Sequence, residues 1–270
     1  MTNAIALAVH SLRRMRAIVI GIGIVLAGFQ FLLTQVAAYL MRNRAFDMLA
    51  GLIPDFMRSL AGPSTIMFMS FAGVVSLGYF HPIVIAALLG LAIAIATEPA
   101  AEVETRFVDV TLARPVARSD LITRTIIVLV ASGVLVLGMM AAGTWVGLAC
   151  CTPRTAPHVS AATVGSLVLN LALIMWCWGG IALAVATRAK RRATAGGLSG
   201  VAALVAYLVD YLGRVWEPAR FVGTFSPFHY FEPMAVISGA SLSSRNVATL
   251  FAIGLAATLA SYVLFSRRDL

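Results

Sequence analysis

The chain has 270 residues, 60% of them hydrophobic and 11% charged, with a mean hydropathy of +0.94 and a formal net charge of +9. A soluble domain carries about a quarter charged residues, so this composition excludes an ordinary soluble fold and describes a polytopic membrane protein. In such a chain the positive balance, 19 arginines and one lysine, orients the helices in a bilayer and does not point to nucleic acid.

No polar linker divides the sequence, so residues 1–270 read as one membrane domain. The expected fold is an all-α membrane protein with six transmembrane helices, at about 17–40, 80–97, 121–149, 161–187, 195–213 and 247–265. The first apolar stretch follows Arg13, Arg14 and Arg16. It is too long for a cleaved signal, and no A-x-A site follows it, so it reads as a retained span. Gly21, Gly23 and Gly28 lie inside it and serve helix packing. Gln30 and Gln35 also lie inside it, as candidates either for bonds between helices or for lining a pathway.

The next run, 64–96, is too long for one comfortable span and too short for two, because each would receive about 16 residues. Pro82 interrupts it. The expected arrangement is one span after Pro82, with 64–79 re-entrant or interfacial and buried against protein. The span at 121–149 carries Gly143 and Gly147, a G-x-x-x-G packing motif that is weak alone. Asn170 in the fourth span is a further candidate pathway residue. Asp210, near the end of the fifth, has Arg214 one turn on as its expected partner. The aromatic stretch 213–246 (Trp216, Phe221, Phe225, Phe228, Tyr230, Phe231) reads as an interfacial belt. The three cysteines and four histidines show no metal-ligand spacing, and no metal site is inferred.

With six spans and the N-terminus inside, thirteen basic residues lie on the inner side and seven on the outer, as the positive-inside rule requires. A seven-span chain with its N-terminus outside gives the same division, so charge alone does not separate the two. Six spans place both termini in the cytoplasm, in a multi-pass protein of the cell's inner (cytoplasmic) membrane. Residues 98–120 are cytoplasmic in either arrangement.

That segment is crowded with charge. Read as a helix over 98–113, it places Glu98, Glu102, Arg106 and Asp109 on one face and Val103, Phe107 and Val110 on another. Thr97 is the expected N-cap, Pro99 fits the first turn, and Pro115 ends the helix with Arg114 displaced from helical geometry. A helix lying in the headgroup layer shows the same pattern. An acid-rich face would be repelled by anionic lipid, however, and a lipid contact does not need a rigid Arg-Pro turn. A protein partner suits both features. Arg114 and Arg118, flanking the turn, could hold carboxylates by bidentate bonds or anchor the chain as ordinary inner-side charges.

The stretch "AAEVETRFVDVTLARPVAR" (100–118) resembles the cytoplasmic signature of type-2 ABC transporter permeases, whose common form is A-G-E-x-E-x-G-T-x-D-x-L-L-A-R-P-V-S-R. Glu102, Glu104, Asp109, Leu112, Ala113, Arg114, Pro115, Val116 and Arg118 match. Arg106 and Phe107 stand where that form has Gly-Thr, and Ala117 replaces its serine. "GLIPDFMRSLAGPS", "TRAKRRATAGG", "FSPFHYFEPMAVISG" and "FSRRDL" are similar to the family's outer segment, second cytoplasmic loop, last outer stretch and ending. The resemblance implies six spans pairing into a twelve-span homodimer or mixed dimer. It implies a cytoplasmic ABC ATPase subunit under each half and a coupling helix between spans two and three. With the residues of the acidic face, the expected coupling residues are Glu98, Glu102, Glu104, Arg106, Asp109, Arg114, Pro115 and Arg118, and the family usually serves export.

The chain has no P-loop: its one lysine, Lys190, lies in "TRAKRRA" without a glycine cradle. ATP hydrolysis is therefore expected from the partner, and this chain is expected to be neither an enzyme nor a cofactor carrier. No paired acids, Ser-His set or His-Glu ligands appear inside the spans. A membrane anchor or assembly factor, recruiting a soluble partner without transport, is the alternative reading.

Overall fold

A computed structural model describes residues 2–46, 48, 70–106, 117–153, 156–157 and 159–267. These residues are helical almost throughout, and among them six helices are long and apolar enough to cross a membrane.

The first helix, α1 (Thr2–Arg42), is continuous. The sequence sets its start at residue 17, yet the helix runs straight through Arg13, Arg14 and Arg16. Residues 4–12 are rich in alanine and leucine, and no proline or glycine precedes Gly21. Ala4, Ala8 and Met15 are buried along this extension, so packing continues below the apolar run. At 1.5 Å per residue the helix is about 60 Å long, roughly twice a hydrocarbon core.

The second span is broken. Helix α2 (Phe71–Ser76), capped by the Ser70 hydroxyl, passes through a 3₁₀ turn (Leu77–Tyr79) into α3 (Pro82–Ala96), whose N-cap is His81. Together they form one apolar stretch from Phe71 to Ala96. This corrects the expected start at 80 and the separate standing of 71–79; residues 64–69 lie outside the described residues. Pro82 supplies the break, as it can start a helix but cannot continue one. Gln30 Nε2 donates to the Val75 carbonyl at 2.6 Å, and the Tyr79 hydroxyl meets Thr144 Oγ1 at 2.6 Å. Polar groups freed at a break inside a membrane need such partners.

A short helix, α4 (Glu98–Glu104), leads toward α5 (Arg118–Cys151), followed by α6 (Ala161–Arg188) and α7 (Arg192–Val215). Two short helices, α8 (Arg220–Gly223) and α9 (Pro233–Ile237), precede α10 (Ser244–Ser266).

Two close pairs organise the bundle. In the first, Gly23 faces Met139, Gly143 faces Ala27 and Gly147 faces Thr34, so α1 and α5 ascend together. A β-carbon at Gly143 would overlap the Ala27 carbonyl, and one at Gly147 would lie 2.7 Å from Thr34 Cβ. The weak G-x-x-x-G of the sequence is therefore the contact surface of this pair. In the second, Trp176 meets Phe251 and Gly180 meets Gly254, where a β-carbon at Gly180 would lie 2.6 Å from the Gly254 carbonyl oxygen. These contacts make α6 and α10 parallel. Among the described residues one long apolar stretch, Phe71–Ala96, lies between the parallel helices α1 and α5, in keeping with six long apolar helices.

Candidate functional site

The charged residues between the second and third spans converge on α4. Thr97 takes the N-cap position, but its hydroxyl donates back to the Ile93 carbonyl at 2.8 Å and caps nothing. Pro99 occupies the first turn as expected. Ala100 is fully buried against Ala186 of α6 and Ala195 of α7, so small side chains seat α4 under these two helices.

The helix then stops at Glu104, nine residues before the 113 expected from its periodicity. Arg106 has φ +53°, the left-handed region, and its N–H bonds the Val103 carbonyl at 3.1 Å. This is the inner bond of a Schellman-type ending, normally made by glycine. Arg106, four residues after Glu102 and spaced for a helical ion pair with it, is consequently not its partner. Asp109, Arg114 and Pro115 lie outside the described residues.

The acids also face the other way from expectation. Glu102 forms an ion pair with Arg124 of α5, with side chains 12% and 6% exposed. Glu98 Oε1 lies 3.3 Å from Arg192 Nη2, and Glu104 Oε2 accepts the backbone N–H of Arg192 at 2.8 Å. Arg192 Nη2 also donates to the Ala94 carbonyl at 3.0 Å. The three glutamates thus bind α4 to α5 and α7 of its own chain. Burial favours this, since a lone Arg124 at that depth would be costly and a carboxylate beside it satisfies both charges. Arg118 begins α5 and donates to the Ser266 carbonyl at 3.4 Å, at the end of α10.

The key partners, Arg124 and Arg192, enter the sequence reading only as inner-side charges. One signal was available: Arg124 stands inside the predicted 121–149 span, where an arginine calls for a buried acid.

No hydrogen bond among the described residues joins the candidate pathway residues to one another. Gln30 is fully buried and braces the broken span, with its Oε1 unpartnered among the described residues. Among the described residues Asn170 Nδ2 on α6 is buried without a partner, and Gln35 is half-buried with Nε2 likewise unpartnered. On the far side, Asp210 pairs with Arg214 at 2.8 Å as the i, i+4 spacing predicts, and Arg214 also donates to the Phe228 carbonyl at 3.3 Å. The aromatic stretch divides: Trp216, Phe221 and Phe225 are exposed, while Phe228 and Phe231 enter the core.

Compared with protein-family models, curated proteins and solved structures, the chain matches none of them.

Proposed function

We propose that the chain is the membrane permease subunit of an ATP-binding cassette transporter, working as an exporter, with ATP hydrolysed by a separate cytoplasmic subunit. The observation that carries this reading is the attachment of α4. A seven-residue helix is joined by Glu102 to α5, by Glu98 and Glu104 to α7, and by Ala100 to α6. A force applied at α4 is therefore delivered to three spans at once, as a coupling element requires. A second observation supports the resemblance: the left-handed residue, Arg106, falls where the family pattern carries glycine. With the glutamates engaged inside the chain, we assign contact with the ATPase to Arg106 and to Asp109, Arg114 and Pro115, which follow it in the sequence.

The test is purification from native membranes in mild detergent, with vanadate-sensitive ATP hydrolysis as the readout. The wild-type chain is expected to bring a nucleotide-binding subunit with it. Arg114→Glu is expected to lose at least about tenfold of the associated activity, since reversing one charge at a docked pair costs over 1.4 kcal/mol, at unchanged membrane yield. Membranes that yield a soluble partner without ATP hydrolysis would contradict the proposal and favour the anchor reading.

A further inference from the structure

Helices α6, α7 and α10 border an open, shallow apolar groove of about 520 Å³. It is lined by Ile181 and Val185 of α6, Leu198 of α7 and Ala257 of α10. Arg188 and Thr194 stand at one end. From Ile181 to Arg188 the helix rises about 10 Å. The groove therefore stays within one leaflet, whose hydrocarbon half is about 15 Å deep.

The end at Arg188 opens onto the connection to α7, where Arg188, Lys190 and Arg191 are exposed within four positions. Two carboxylates of α4 reach this corner, Glu98 and Glu104, and both are engaged by Arg192. The mouth of the groove is thus cationic, while its body is apolar. A larger groove of about 740 Å³ between α5, α6 and α10 is lined wholly by apolar residues, Trp176 and Phe251 among them. It offers a lipid no reason to prefer one headgroup over another.

We propose that the α6–α7–α10 groove binds one anionic phospholipid of the leaflet on that side. An acyl chain lies along Ile181, Val185 and Leu198, and the phosphate meets Arg188, with Lys190 and Arg191 beside it. Guanidinium matches phosphate oxygens by two parallel charge-assisted bonds. A zwitterionic headgroup carries its own ammonium beside the phosphate and draws less from the same cations. The selectivity is therefore set by the headgroup, and the site by the groove.

Native mass spectrometry of the detergent-purified full chain tests this, with phosphatidylglycerol and phosphatidylcholine of identical acyl chains as the probes. Wild type is expected to bind phosphatidylglycerol on the order of tenfold more tightly, given the attraction of each nearby cation to anionic lipid. The combined change Arg188→Gln, Lys190→Gln and Arg191→Gln is expected to erase the preference and leave phosphatidylcholine binding as it was. Leu198→Trp, which fills the groove and keeps every charge, is expected to erase it as well. All four positions are exposed, so both variants are expected to keep the wild-type thermal midpoint. Equal affinity of wild type for the two lipids overturns the proposal, and so does a preference that survives both variants.

Discussion

Glu102 and Arg124 are a largely buried pair whose remaining groups, Glu102 Oε2 and Arg124 Nη2, have no hydrogen-bond partner among the described residues. Removing one partner of such a pair strands the other charge, which costs about 3–5 kcal/mol, whereas replacing both by apolar groups is often neutral. Glu102→Lys is therefore expected to lower the thermal midpoint sharply in detergent. Glu102→Met with Arg124→Leu is expected to recover most of the loss. If the double variant is no better than the single one, the pair is not an isolated unit. The same geometry makes charge reversal at Glu102 unsuitable as a test of docking, because it disturbs the fold first. Arg106 offers the opposite case. A non-glycine residue in the left-handed region gives up about 1 kcal/mol. Arg106→Gly is expected to raise the thermal midpoint by a few degrees, and a fall would mean that its side chain contributes to the fold.

At the scale of elements, the spans were legible because each is a long apolar run, and their ends were not. Composition marks where a helix leaves hydrocarbon, whereas α1 continues to Thr2 because Ala4 and Ala8 still find a packing surface. The direction of α4 was hidden for a related reason. The i, i+4 rule offers Arg106 to Glu102, but Glu102 pairs with Arg124, 22 residues away, and Glu104 with Arg192, 88 residues away. Only tertiary packing brings them in. The pair Asp210–Arg214 was readable because both residues share one helix face. Gly143 and Gly138 separate motif from composition. Gly143→Ala is expected to destabilise the α1–α5 pair by about 1–3 kcal/mol, as over-packing does. Gly138→Ala, with open space around it, is expected to change little. Equal effects in thermal unfolding would remove Gly143 from the helix contact.

For the whole molecule, the parallel pairs α1–α5 and α6–α10 lead to the prediction of an even number of crossings, with the two termini on one side. In a background with Cys150, Cys151 and Cys177 replaced by alanine, cysteines at His10 and Arg267 are expected to label from one side, and a cysteine at Asn43 from the other. Labelling of His10 and Asn43 from the same side would break this topology. On that frame rests the central claim, that α4 and the residues after it receive the push of a separate ATPase. The most direct measurement is site-specific photo-crosslinking from position 106 in native membranes, with position 43 as the control. The account predicts an adduct between position 106 and a subunit that binds nucleotide, and none from position 43. A crosslink from 106 that captures only lipid, or only a protein without a nucleotide site, would contradict it.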